Sequence, residues 1–312
     1  PYGVCDKGLK IKNGRIKNME KKKRRFGDRK DAVWVRDADP LHAFVPFLMP
    51  NRADNEAFIS EEIDLTNINK YLEKKNADNP PYKYTIFHVI AAAIAKTITL
   101  RPKMNRFICG NRLYQRNEIV LSFVAKKVFS DDGGELLIFL PCEENSTLDT
   151  LHSELCEKVS RERSCESGMD YTTKQLNWLT KIPRPFLKFV VWILNVLNYY
   201  GKIPNWLGKE DPQTATVFIS NLGSIKLHAG YHHLTNWGTN SIFAVIGEKH
   251  KALKYDDEGN VTMREVLELG LTLDERIADG YYYSKTVRLL KYLLQNPELL
   301  ERPAKEEVNF EN

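Results

Sequence analysis

A carboxylate at the end of an alternating strand, Glu275, followed four residues later by Asp279-Gly280, is the feature of this sequence best placed for proton transfer. The surrounding text reads Leu271-Thr-Leu-Asp-Glu-Arg-Ile-Ala-Asp-Gly280. Glu275 acts as a general base if burial lifts its pKa towards neutrality. It is a poor base if it lies in water or pairs with the adjacent Arg276, because an ion pair lowers the pKa. Asp279 precedes a helical run and can cap it whether or not the chain is an enzyme. Tyr231-His-His-Leu234 offers His232 and His233 as a substitute base; the alternative is a pair with one ring buried and one exposed. His228 and His232 have the spacing of a helical metal pair, but Gly230 lies between them and a third ligand is not evident. No metal site is expected.

These groups need a scaffold, and the hydrophobic pattern supplies one. Ala57–Ile59 and Ile63–Leu65 read as a strand ending near Thr66, which caps a polar helix over 67–75. Thr85 caps a second helix, Ile86–Leu100, whose apolar residues cover most of its circumference, so it should be central; Arg101-Pro102 stops it. Ile119–Lys126 and Glu135–Pro141 are strands about an Asp131-Asp-Gly-Gly134 turn. Ser146 or Thr147 opens a helix with Leu148, Leu151 and Leu155 on one face. Thr216–Ser220 and Ser241–Gly247 are buried strands. Ala252–Tyr255 and Val261–Val266 form a hairpin, and Glu265–Leu273 alternates towards Glu275. The last helix, Tyr281–Gln295, ends at Asn296-Pro297. Strands and helices mix without a regular βαβ rhythm, which implies a mixed sheet covered by helices.

Three blocks of sequence resemble one family. Asp279-Gly280, the alternating strand before it and Asn296-Pro-Glu-Leu-Leu300 after it are similar to the His-x-x-x-Asp-Gly signature of the dihydrolipoyl acyltransferase cores of 2-oxoacid dehydrogenase complexes and of chloramphenicol acetyltransferases. Phe218-Ile-Ser-Asn-Leu-Gly223 resembles the family's Thr-Ile-Ser-Asn-Leu-Gly strand. His88–Asn105, ending Pro102-Lys-Met-Asn105, resembles its long helix. The match spans roughly 45–300. It departs at one point: Glu275 stands where the family keeps its catalytic histidine.

The resemblance implies a chloramphenicol-acetyltransferase-like α/β fold, with a mixed β-sheet covered by helices in one large domain. It implies transfer of an acyl group from CoA or acyl-CoA to a small-molecule acceptor, with Ser220 stabilising the oxyanion. It also implies a homotrimer with sites in channels between subunits. A lipoyl domain and a peripheral-subunit-binding segment are not part of the match. Two functions follow: an acyltransferase with an altered base, or a catalytically inactive relative that acts as an oligomeric scaffold or ligand-binding protein.

Charge and composition set the rest. Hydrophobic residues make up 42% and charged residues 28%, as in a soluble globular protein. Residues 1–36 hold 13 Lys/Arg and 4 Asp/Glu, a net of +9, against −4 for the remainder of a chain of net charge +5. We therefore read 1–40 as a basic N-terminal arm, 41–302 as the acyltransferase-like domain and 303–312 as a polar C-terminal tail. The run Lys21-Lys-Lys-Arg-Arg25 lacks interleaved aromatics or a reading motif, so nucleic acid is not an expected partner. Five cysteines (Cys5, Cys109, Cys142, Cys156 and Cys165) form no CxxC, which suits a reducing cytosol; with no apolar signal core in the first thirty residues, the expectation is a cytoplasmic protein. Phe186–Tyr200 is too short to span a bilayer, so no transmembrane segment is expected. It is read as an amphipathic or buried helix packed on the body, in preference to a membrane-surface helix.

Overall fold

Fifteen residues free of glycine and proline, rich in alanine and bracketed by Thr85 and Arg101-Pro102, form the helix on which the fold is built. In the computed structural model this helix, α3 (Ile86–Leu100), has Thr85 as its N-cap in a reciprocal capping box with His88. Ala91, Ala92, Ala93 and Ala95 are buried and let it lie close to its neighbours. The structure describes residues 25–126, 135–164, 181–203, 211–255 and 258–310. Cys5, Cys165, the arm up to residue 24 and the Asp131–Gly134 turn lie outside them.

Nine strands and six helices are present among the described residues. In chain order they begin β1 (Ala32–Trp34), α1 (Pro40–Leu48), β2 (Glu56–Asp64), α2 (Thr66–Lys75), α3, β3 (Arg106–Cys109) and β4 (Arg112–Arg116). They continue β5 (Ile119–Lys126), β6 (Glu135–Cys142), α4 (Leu148–Ser164), α5 (Arg184–Tyr199) and β7 (Val217–Asn221). The last are β8 (Ile242–Tyr255), β9 (Val261–Asp274) and α6 (Gly280–Gln295). The main sheet has the order β2-β9-β8-β7-β5-β6; β7 runs parallel to both β5 and β8, and the other pairs are antiparallel. This is the mixed sheet expected from the sequence. The hairpin is longer than expected, because β8 and β9 are each one continuous strand with a register shift between Ile246 and Lys249.

One face of the sheet buries Val217, Ile219, Ile242, Ala244, Leu269, Leu271 and Leu273 in a core shared with α3 and α6. A cavity of about 40 Å³ remains there, lined by apolar side chains of α3, α6 and the strands. The opposite face carries Phe218, Phe243 and Val245 beneath a strap that includes Ala229 and Leu234. Gly270 makes room for that strap, since a Cβ there would overlap the Gly230 carbonyl oxygen.

Three local expectations change. The side chain at the start of α2 is Asp64, whose Oδ1 accepts the Thr66 N–H at 2.8 Å, so Thr66 is the first helical residue and not the cap. Within the segment read as an arm, part of 25–40 is anchored: β1 pairs with β4, and the buried Arg29 lies against Phe107 and Tyr114. The described part of the tail is also tied down. Ala304 is buried, the Ala304 and Lys305 N–H groups donate to Ser146 and Glu144, and Val308 and Phe310 pack against the core.

Candidate active site

Strand β9 delivers its last residue, Asp274, to a fully buried position at one end of the sheet. Burying a carboxylate demands compensation, and Arg276 supplies it. Its guanidinium grips both Asp274 oxygens at 2.8 and 2.7 Å and also donates to the carbonyls of Met49 and Pro50. Arg52, 4% exposed, lies 3.6 Å from the same carboxylate and donates to the carbonyls of Thr235, Gly238 and Ile108. Burial pushes the Arg52 guanidinium below its ordinary value, against the pull of Asp274. This network ties the 49–52 loop and the 235–238 loop to the end of β9.

Of the alternatives open for Glu275, the pair with Arg276 is not formed, because Arg276 is taken by Asp274. In the single 3₁₀ turn over 275–277, Asp274 accepts the Arg276 N–H and directs the Arg276 side chain inwards. Glu275 is left exposed, and no described residue pairs with it. The described residues do not supply the desolvation on which a carboxylate base depends. Asp279 does what its position predicts: it is the N-cap of α6, its Oδ1 accepting the Tyr282 N–H at 2.8 Å. That hydrogen bond holds its pKa below the usual carboxylate value.

His233 lies at the same end of the sheet. Its Nδ1 is 2.9 Å from Glu56 Oε2, and Glu56 also accepts the Leu234 N–H. A carboxylate oxygen accepts here, so Nδ1 donates, and in the neutral imidazole Nε2 keeps its lone pair. The imidazole is 84% exposed while the Glu56 side chain is 4% exposed, so a fixed carboxylate orients a ring whose other nitrogen faces outwards. Glu56 is directly opposite Asp274 in the β2–β9 register, which sets His233 beside the strand end that leads into Glu275. His232 is used differently: its ring stacks on Phe243 with centroids 4.2 Å apart.

Ser220 is elsewhere. It is half-buried on β7, on the strap-covered face, in a row with Val245, Gly270 and Ser60. Four residues of β9 separate Gly270 from Asp274, about 13 Å along the strands, and β7 lies two strands away, about 10 Å across. One chain thus keeps Ser220 apart from both Glu275 and His233.

The sequence reading passed over Glu56, whose signal was only an acidic residue opening a strand. It also passed over His88, His152 and Cys156, which come together between α3 and α4, the one group of this kind among the described residues whose ligand atoms could hold a metal ion. Cys156 Sγ lies 3.5 Å from His152 Nε2, and Tyr84 stacks on His152. The Thr85 N–H donates to His88 Nδ1 at 3.0 Å, which places the His88 proton on Nε2, so in this tautomer neither nitrogen offers a free lone pair. Burial, with His152 adding to it, pushes the His88 pKa down to about 4.

Known proteins share this fold. The profile of the 2-oxoacid dehydrogenases acyltransferase (catalytic domain) matches residues 204–301. No curated protein sequence matches the chain. Among solved structures, a probable dihydrolipoamide acetyltransferase from Listeria monocytogenes superposes with a TM-score of 0.53 at 16% identity, over 88% of this chain and 95% of that one. A truncated catalytic core of the 2-oxoacid dehydrogenase multienzyme complex from Thermoplasma acidophilum gives 0.52 at 16% identity, over 83% and 97%. A chloramphenicol acetyltransferase gives 0.51 at 13% identity, over 83% and 96%. The chain has the chloramphenicol-acetyltransferase-like fold of these cores, and its residues 204–301 carry the sequence pattern of the 2-oxoacid dehydrogenase acyltransferase catalytic domain.

Proposed function

We propose that this protein is a CoA-dependent acyltransferase of the 2-oxoacid dehydrogenase acyltransferase type with an altered catalytic base, assembled as a homotrimer whose sites lie between copies. The observation that carries the reading is the His233–Glu56 pair, an oriented imidazole at the strand end where the family keeps its histidine. Glu56 fixes the tautomer, and His233 Nε2 removes the proton from an acceptor thiol or hydroxyl. The acceptor then attacks the acyl-CoA carbonyl. Ser220 of a neighbouring copy donates to the oxyanion of the tetrahedral intermediate. That intermediate collapses with loss of CoA thiolate, which takes the proton from His233. Glu275 is the other candidate base, and burial by a neighbouring copy is the condition it needs. The test is release of free CoA from short acyl-CoA substrates across a panel of thiol and hydroxyl acceptors. Turnover by wild type that falls about a hundredfold or more in His233→Ala supports the reading. Turnover retained in His233→Ala and lost in Glu275→Gln moves the base to Glu275.

A second reading has its own observation. Glu275 is exposed and unpaired where the family has its histidine, which favours a catalytically inactive relative acting as a scaffold or ligand-binding protein. Binding of acyl-CoA without turnover for any acceptor would select it.

A further inference from the structure

Helix α5 is amphipathic, but it meets the body less fully than the sequence suggested: one side is half-buried and its outer side is open. Phe186, Phe189, Trp192, Ile193, Val196 and Tyr199 are 37–60% exposed, and the residue it buries is Asn198. At 100° per residue these six side chains fall within an arc of about 140°. Leu187, Val190, Leu194 and Leu197 occupy another arc and are half-buried. Between the two runs a third strip of Arg184, Lys188 and Asn195, all exposed. From 181 to 203 the sequence has four basic residues, Lys181, Arg184, Lys188 and Lys202, and no acidic one.

We propose that the outer face of α5 docks on an anionic lipid surface, lying in the plane of the headgroups. Bulky aromatic and aliphatic side chains beside a basic strip, at a length that cannot cross a bilayer, form an interfacial helix. No helix among the described residues is long and apolar enough to cross a membrane. The charge selects the occupant. Basic residues beside the apolar arc meet anionic headgroups favourably, whereas a second copy stacked face to face would bring two basic strips together. The helix is held for this role at its C-terminal end. Its Asn198 carbonyl accepts from Arg29 Nη1 at 2.9 Å, and Gly110 gives close passage to Tyr199.

The test is sedimentation of the full chain with phosphatidylcholine vesicles and with vesicles that also contain phosphatidylserine. Wild type should partition onto the anionic vesicles at least about tenfold better, and added salt should weaken this. Phe189→Glu combined with Trp192→Glu should lower that partitioning at least about tenfold with the melting temperature unchanged, because both side chains are exposed. Arg184→Glu combined with Lys188→Glu should lower it by a similar factor. The proposal is overturned if wild type ignores anionic vesicles, binds both kinds equally, or binds unchanged in the Phe189/Trp192 variant. It is also overturned if that variant instead loses assembly mass in light scattering, which would show that another copy covers the face.

Discussion

Asp274 and Arg276 on one side, and Glu275 and His233 on the other, share one end of the sheet but live in different environments. The first two are 0% and 3% exposed and grip each other through two hydrogen bonds, with Arg52 close by. The second two face solvent, and of them only His233 has a fixed partner, Glu56. Charges adjacent in sequence thus divide into those that hold the loops in place and those that are free to meet a substrate. The division follows from strand alternation and one 3₁₀ turn, which send Asp274 and Arg276 inwards and Glu275 outwards.

The strongest way to break this comparison is to remove a buried partner. Asp274→Ala should leave two buried guanidinium groups uncompensated and cost about 3–5 kcal/mol in urea unfolding. His233→Ala should cost less, about 1–3 kcal/mol at most, since it takes one partner from the buried Glu56 carboxylate and leaves the Leu234 N–H in place, while lowering turnover about 10²–10⁴-fold. If both variants lost stability equally, the two environments would not be distinct.

A titration tests the half-buried His88. The His88 pKa lies near 4 in the fold, below the ordinary histidine value of about 6.5. The unfolded chain therefore binds the proton more readily, and stability rises with pH. The contribution is fully present above about pH 6.5 and is lost as pH falls towards 4, by up to roughly 3 kcal/mol. His88→Asn should flatten that part of the stability–pH curve.

The smallest effect belongs to Asp279. Asp279→Ala should destabilise by about 1 kcal/mol through loss of the α6 cap, and Asp279→Asn should restore most of it. Because its folded pKa is lowered, the carboxylate's advantage over Asn is present above the usual carboxylate range and disappears as pH falls through the folded value. Thermal melts of the three proteins at neutral and acid pH measure this directly.

Much of the fold was legible because its signals are local. Thr85 and Pro102 bracket α3, the alternating leucines of 267–273 define the buried face of β9, and Asp279 announces α6. Two apolar helices show where local signals end. α3 and α5 are similar in length and both apolar, yet α3 is sunk in the core while α5 shows seven large side chains to solvent. Small alanines let α3 approach the sheet closely, and the bulky residues of α5 do not reveal in sequence which face finds a partner. The Glu56–His233 contact joins residues 177 apart and no periodicity encodes it. The separation of Ser220 from the strand end at Asp274 is a matter of strand register, which the motifs alone do not fix.

Complementation between two damaged copies tests the central claim most directly. Ser220→Ala and His233→Ala, each purified and nearly inactive, are mixed, dissociated and reassembled before free CoA release is measured. A site built from Ser220 of one copy and His233 of the next predicts recovery to about a quarter of wild-type turnover, since one in four random interfaces pairs two intact residues. Turnover that stays at the level of the separate variants, although mixed assemblies form, would contradict the account.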